Sequence, residues 1–304
     1  MIKQLIKKTF IYKIYKKRFP YSLQDYHNFN KLYKKSLKNL KEVPNKNITG
    51  DIIVSLTTYP GRIKAAGIVI SSIMQQTLIP NRIVLTLAES QFPKKRLPKL
   101  LRKEIKKGLE IIWTGDLRSH KKYYDVMKKY PESLIITVDD DTCYTENFVS
   151  DLYNSYKRYP SCISCTLARE IQIENNNFLS YESWPHSIVT DTPSLKTIPL
   201  GIGGVLYPPH SLNEEVFNKI NIKKLCPNAD DLWLKIMELL NNPPTPVVLT
   251  SKFTGIEIPL TQINALYLTN TLQNQNDTQL NLLLENYNEN NVLLEKILQN
   301  KIID

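Results

Sequence analysis

At 304 residues with 42% hydrophobic side chains, the chain can bury the core of one large α/β domain with small appendages, which excludes wholesale disorder. Four cysteines are too few for a disulfide framework and point to a reducing compartment. The net charge of +11 is confined to one end: residues 1–48 hold 13 Lys/Arg against Asp25 and Glu42, and the rest of the chain carries 27 groups of each sign, so no nucleic-acid groove is built into the body.

The basic arm, residues 1–48, mixes lysine with aliphatic and aromatic side chains, as in Ile11-Tyr12-Lys13-Ile14-Tyr15-Lys16-Lys17. Two readings stand. Such a segment can attract anionic lipid and insert its apolar side chains, or it can be a solvated helical extension; Lys13 interrupts the apolar face and favours neither. No run approaches the roughly 18–20 apolar residues of a spanning helix, and the N-terminus lacks an uninterrupted apolar stretch of the signal-peptide kind. The expected location is cytoplasmic, with the arm as a candidate contact to the inner membrane face.

From residue 49 to 304 the pattern is that of one domain with a helical tail. Asp51–Thr57 reads as a strand and residues 64–76 as a helix; Asn81–Ala88 is a second strand. Pro98–Lys107 is an amphipathic helix, followed by a strand at Leu109–Thr114, a helix over 120–130 and a strand at Leu134–Val138. Thr145–Tyr159 is helical and Cys162–Ala168 strand-like. Residues 170–210 read as loop, then come helices near 211–220 and 229–241, and a strand at Pro246–Thr250. Helices of ten or more residues between strands predict crossover connections and a mostly parallel, Rossmann-like sheet flanked by helices, with ligands at the carboxyl ends of its strands. In the tail, Leu280, Leu283, Leu284 and Tyr287 form a helix-spaced stripe that suits core packing.

Asp139-Asp140-Asp141 directly follows the apolar run Leu134–Val138. Three adjacent carboxylates repel one another unless a cation compensates them. Mg²⁺ or Mn²⁺ does so with oxygen ligands that it usually shares with substrate phosphates; the plain alternative is an acidic surface turn. On extended backbone Asp139 and Asp141 point to one side and Asp140 to the other. Gly201-Ile202-Gly203-Gly204 holds three of the nine glycines of the chain, which marks a tight reversal or a close backbone approach to a ligand. Asp230-Asp231 opens the last large helix, where the helix dipole and capping alone favour acids.

These motifs resemble GT-A fold glycosyltransferases over roughly residues 50–250. Val54-Ser-Leu-Thr-Thr-Tyr-Pro-Gly-Arg62, Asp116-Leu-Arg-Ser-His-Lys-Lys122-Tyr123, Asp139-Asp-Asp141 with Tyr144, and Asn228-Ala-Asp-Asp-Leu-Trp233 are together similar to bacterial enzymes of surface polysaccharide synthesis. The resemblance implies a nucleotide-sugar donor and a glycan or lipid-linked acceptor. It places Thr57, Thr58, Tyr59 and Arg62 near base, ribose and diphosphate, Asp116 on base or ribose, and Lys122 nearby, with Lys121 as its rival. It assigns Asp139 and Asp140 to the donor, Asp139 and Asp141 to Mn²⁺ or Mg²⁺, and Asp231 to deprotonation of the acceptor hydroxyl in an inverting displacement. Many relatives carry Glu-Asp where this chain has Asp230-Asp231, so Asp230 stays open as the base.

A nucleotidyltransferase also uses carboxylate-bound Mg²⁺ on an α/β sheet, but it usually carries a Gly-rich basic loop near the first strand, and none is present. A subunit that binds sugar nucleotide without turnover is the non-enzymatic alternative. Cys162 and Cys165, three apart on a strand, point to opposite faces and read as buried thiols. The four histidines show no ligand spacing, and there is no Walker loop or Gly-x-Gly-x-x-Gly.

Overall fold

The computed structural model describes residues 22–44, 51–250, 253–261 and 275–298. Its first helix, α1 (Leu23–Ser36), starts with a reciprocal capping box: the Ser22 side chain accepts from the Asp25 backbone N–H, and the Asp25 carboxylate accepts from that of Ser22. Phe29, Leu32 and Tyr33 of α1 pack against the main core, and the Tyr33 hydroxyl accepts from Leu100 N at 3.3 Å. Residues 1–21 and 45–50 lie outside the described residues, and with them the parts of the basic arm on which the membrane expectation chiefly rests.

The body alternates strands and helices through β1 (Ile52–Thr57), α2 (Ile63–Ile73), β2 (Arg82–Ala88), α3 (Lys99–Ile105), β3 (Leu109–Thr114), α4 (Tyr124–Lys129), β4 (Leu134–Thr137), β5 (Thr142–Cys143), α5 (Phe148–Arg158) and β6 (Ile163–Cys165). Short strands β7 (Ala168–Glu170), β8 (Ile173–Glu174), β9 (Asn177–Phe178), β10 (Thr197–Pro199) and β11 (Val205–Tyr207) follow. Then come α6 (Lys219–Leu225), α7 (Asp230–Leu240), β12 (Val247–Leu249), β13 (Ile256–Glu257), α8 (Gln275–Tyr287) and α9 (Val292–Leu298). Among the described residues the main sheet has seven strands in the order β12-β6-β11-β4-β1-β2-β3. Every neighbouring pair is parallel except those made by β11, which runs against both β4 and β6. The chain thus forms the expected mixed α/β architecture, a mostly parallel sheet between helices.

Strand alternation sorts the side chains. Ile52, Val54 and Leu56 enter the core that includes α2, whereas Ile53 packs with Val84, Val126 and Ile135 on the other face. Ser55 shares that second face, and its hydroxyl donates to the Lys122 carbonyl at 2.6 Å, fixing the turn that follows β3. Because β11 is reversed, it begins at the edge where β1, β3, β4 and β6 end. The glycine run before β11 therefore lies beside the residues that leave those four strands.

Three expectations change in detail. The helix expected over 120–130 begins as a 3₁₀ turn, Arg118–Lys122, before α4. The one expected near 211–220 is a 3₁₀ turn, Glu214–Phe217, followed by α6, because Asn218 caps a new start by accepting from Ile220 N and Asn221 N. The region read as loop holds a β8–β9 hairpin turning through Asn175 and Asn176, both at positive φ, and a β7–β10 pair. Two- and three-residue strands leave too little periodicity to detect. Cys162 and Cys165 are buried free thiols, and no helix among the described residues is long and apolar enough to cross a membrane.

One buried acid has no compensation. Glu104 on α3 is fully buried beside Gly67 of α2, and neither carboxylate oxygen has a hydrogen-bond partner. Burial alone lifts its pKa well above the usual value. The folded chain therefore holds a proton that the unfolded chain releases, so stability falls as pH rises above the ordinary Glu range. Glu104→Met should raise the melting temperature at pH 8, and the gain should shrink towards pH 5. Parallel melting profiles for the two proteins across that range would refute the assignment.

Candidate active site

β4 ends at Thr137, so Asp140 and Asp141 fall in a turn and not on extended backbone. The expected alternation, Asp139 with Asp141 against Asp140, does not hold for that reason. One nitrogen of Arg62, Nη1, lies 2.9 Å from both Asp140 Oδ1 and Asp141 Oδ2. Thr58 donates to Asp140 Oδ2 at 2.5 Å, so both oxygens of Asp140 are engaged. The Asp139 side chain is 33% exposed against 9% and 10% for its neighbours, so it is the carboxylate most open to the cleft. Tyr144 ties the turn to the glycine loop: its hydroxyl accepts from Asp139 N at 3.1 Å and donates to Ile202 O at 3.0 Å.

Lys122 joins this turn to the start of α7. Its buried ammonium stands 2.9 Å from Asp139 Oδ1 and 2.7 Å from Asp230 Oδ2. Burial alone would lower its pKa, but Asp139, Asp230 and Asp231 outweigh burial and hold the lysine charged. The two acids of α7 then separate. Burial acts on Asp230, yet Lys122 and His120 bring its pKa below the ordinary value. Burial and the adjacent Asp230 charge push Asp231 up to about 7, although both of its oxygens accept from Gly201 N, at 3.1 and 3.2 Å. Neither acid caps the helix: the cap position is Ala229, with no side-chain hydrogen bond. His120 is fully buried, bonded to Tyr123 and the Cys226 carbonyl, and burial lowers its pKa to about 4. It is a neutral prop behind the acid pair.

The glycine run now has a physical cause. A Cβ at position 201 would sit 2.5 Å from Lys122 Nζ and 3.0 Å from Asp231 Oδ1. Gly204 adopts φ +81°, which favours glycine.

Thr57, Thr58, Tyr59, Arg62, Lys121, Lys122, Asp139, Asp140, Asp141, Asp230 and Asp231 line one cleft of about 970 Å³. Asp116 is not itself among the lining residues but accepts from three that are, Lys121 (2.6 Å), Gln91 (2.9 Å) and Arg118 N (2.8 Å). Lys121 thus serves Asp116 while Lys122 serves the two acid clusters. Thr57 is turned into the sheet, its hydroxyl donating to Thr86 O at 2.8 Å.

The donor set is compatible with a hard divalent ion. Asp141 is raised to about 7 by burial and by the charges of Asp139, Asp140 and Glu257, more than Arg62 offsets. Among the described residues no three acid, His or Cys side chains form a complete cage. Two carboxylates completed by phosphate oxygens is a common arrangement for Mg²⁺.

Several lining residues left no mark in the sequence. Arg169, Tyr181 and His186 come from the region read as loop, and Gln275 and Asn276 from the first turn of α8. That turn laces the cleft together: Asp277 accepts from Tyr181 N at 2.6 Å, and Gln279 accepts from Asn228 N at 2.8 Å. The leucine stripe of α8 pointed to packing, and Leu280 and Leu283 are buried, but the polar residues beside it show no pattern of their own.

No protein-family model and no curated protein matches the chain. Among solved structures it is similar to a mannosyltransferase from Pyrobaculum calidifontis in complex with GDP-Man and Mn²⁺, at 9% identity over 91% of this chain and 79% of that one, TM-score 0.46. It is also similar to residues 1–349 of S. aureus TarS, at 12% identity, 82% and 81% coverage and TM-score 0.44. A third likeness is to CMP:2-keto-3-deoxy-manno-octonic acid synthetase complexed with CTP, at 12% identity, 75% and 100% coverage and TM-score 0.39.

The acid pair makes opposite predictions for two isosteric changes, measured in EDTA at pH 8. Asp231→Asn should raise the melting temperature, because a carboxylate whose folded pKa is raised costs stability once ionised. Asp230→Asn should lower stability by roughly 3 kcal/mol, because it removes one partner of a buried lysine. Shifts of the same sign in both variants would refute the division of roles.

Proposed function

We propose that this chain is a metal-dependent, inverting glycosyltransferase that takes its sugar from a nucleotide-sugar donor. The observation that carries the reading is the division within one cleft: Lys122 keeps Asp230 ionised, while Asp231 is raised to about 7, the range in which a carboxylate can act as a general base near neutral pH. The first-strand loop and the residues that hold Asp116 take the nucleotide. Thr58 and Arg62 set the acidic turn that faces the diphosphate, and Asp139 and Asp141 would hold Mn²⁺ or Mg²⁺. When bound, such an ion stabilises the charge that gathers on the diphosphate as it leaves.

The displacement is a single step. The acceptor hydroxyl oxygen forms its bond to the anomeric carbon as its proton passes to an Asp231 carboxylate oxygen. The bond from that carbon to the diphosphate breaks, and the electron pair leaves with the nucleoside diphosphate. The two Gly201 N–H contacts hold the Asp231 carboxylate in one orientation, and orientation of this kind is what converts binding into rate. The side of the cleft lined by Arg169, Tyr181 and Asn276 is the side left for a glycan or lipid-linked acceptor. On this reading residues 49–304 form the catalytic unit and residues 1–48 a basic extension.

A screen of nucleotide sugars for released nucleoside diphosphate, with and without Mn²⁺, is the direct test. Asp231→Asn should keep donor affinity and lose roughly 10²–10⁴-fold in turnover, with Asp230→Asn milder. Wild-type activity should rise with pH through about 7, since the base works only once deprotonated. Retained anomeric configuration in the product, read by NMR, would exclude the single displacement. Asp141→Ala should abolish the Mn²⁺-dependent thermal shift with nucleoside diphosphate, and an unchanged shift would remove Asp141 from the metal.

A further inference from the structure

The acidic turn already has a cation. Arg62 reaches it from the loop after β1 with its side chain only 11% exposed, and Nη1 bridges Asp140 and Asp141 at 2.9 Å each. Its Nε donates to Thr261 O at 2.9 Å, which ties the segment after β13 to the same spot. The far nitrogen, Nη2, is buried without a hydrogen-bond partner. A guanidinium has five N–H donors and stays charged at any ordinary pH. Arg62 is therefore held on the acids by charge while part of its hydrogen-bonding capacity goes unused.

That geometry sets up a competition. The Asp141 oxygen that Arg62 holds belongs to one of the two carboxylates assigned above to the divalent ion, and a second cation on that carboxylate is repelled by the first. Arginine cannot withdraw by losing its proton, so it leaves Asp141 only by moving. A nucleoside diphosphate changes the balance in two ways. It supplies oxygens that complete the coordination of the ion, and it offers the displaced guanidinium an anion whose paired oxygens match the guanidinium fork.

We propose that Arg62 is the resident cation of the ligand-free acidic turn and yields Asp141 to the divalent ion when ion and nucleoside diphosphate bind together. Arg62 keeps Asp140, which Thr58 also holds, and turns its unused donor to the diphosphate. The ion alone thus binds weakly, and it loads with the donor rather than ahead of it. The inference rests on the metal and diphosphate part of the function proposed above and not on which sugar is moved.

The test needs no turnover. Mn²⁺ alone is titrated into the full-length protein, with free Mn²⁺ read by electron paramagnetic resonance, and the titration is repeated with UDP or GDP present. Arg62→Gln, which removes the charge but keeps an amide donor, should bind Mn²⁺ alone about tenfold tighter than wild type or better. Lys121→Ala removes an equally close-paired cation that serves Asp116, and it should change the affinity by less than about threefold. The tightening of Mn²⁺ by nucleotide, and reciprocally of nucleotide by Mn²⁺, should be smaller in Arg62→Gln than in wild type. If Arg62→Gln melts below the assay temperature, Arg62→Lys serves, because one ammonium cannot both bridge the two acids and reach Thr261 O; its Mn²⁺ affinity should lie between the other two. Arginine variants that bind Mn²⁺ no tighter than wild type, or that gain no more than Lys121→Ala, overturn the exchange. Failure to turn over any nucleotide sugar would count against the glycosyltransferase reading and leave the Mn²⁺ comparison standing.

Discussion

The site depends on one buried ammonium. Lys122 lies between Asp139, which leaves β4, and Asp230, which opens α7. A lysine buried at that point is stable only if carboxylates surround it, so its position decides where the acidic turn, the helix start and the Gly201 backbone can be. The backbone that carries it is fixed in turn by Ser55, which donates to the Lys122 carbonyl from the inner face of β1. Strand, turn and helix are therefore registered on one another through a single residue.

The electrostatics follow from that registration. Asp139, Asp140, Asp141, Asp230 and Asp231 share one cleft with two closely bound cations, Lys122 and Arg62. Each cation lies on two acids, Arg62 on Asp140 and Asp141 and Lys122 on Asp139 and Asp230, while Asp231 rests on the Gly201 N–H; burial and neighbouring acids raise both Asp141 and Asp231 to about 7. The uneven sharing separates five chemically identical side chains. Asp140 and Asp230 are held closely by their cations, and Asp139 stays open to the cleft. Burial and neighbouring acids favour a proton on Asp141 and Asp231.

Much of this was legible in the sequence, and the limits have physical causes. The apolar, β-branched run at Ile52–Leu56 and the helices between strands announced a mostly parallel sheet, and the four motifs marked residues that do line one cleft. Alternation failed at Asp139–Asp141 because the strand stops at Thr137, and the end of a strand is set by tertiary pairing. The capping explanation for Asp230 and Asp231 was reasonable from position alone, but Lys122 and Gly201 take their carboxylates instead. The contributions of Tyr181, Arg169 and Asn276 could not be read. They depend on which short strands pair and on where α8 docks, and neither follows from local periodicity.

The docking of α8 also bears on how the molecule is made. Asn228, two residues ahead of the acid pair, is held by Gln279, and Tyr181 by Asp277, so residues from the last part of the chain secure both sides of the cleft. Nearly all of α7 is buried, with Trp233 against Tyr287 of α8 and the Lys296 ammonium of α9 on the Leu239 carbonyl. As the polypeptide leaves the ribosome, the sheet strands through β12 emerge before the helices that cover α7. The cleft is therefore completed only when α8 and α9 dock, after the strands of the sheet have been made.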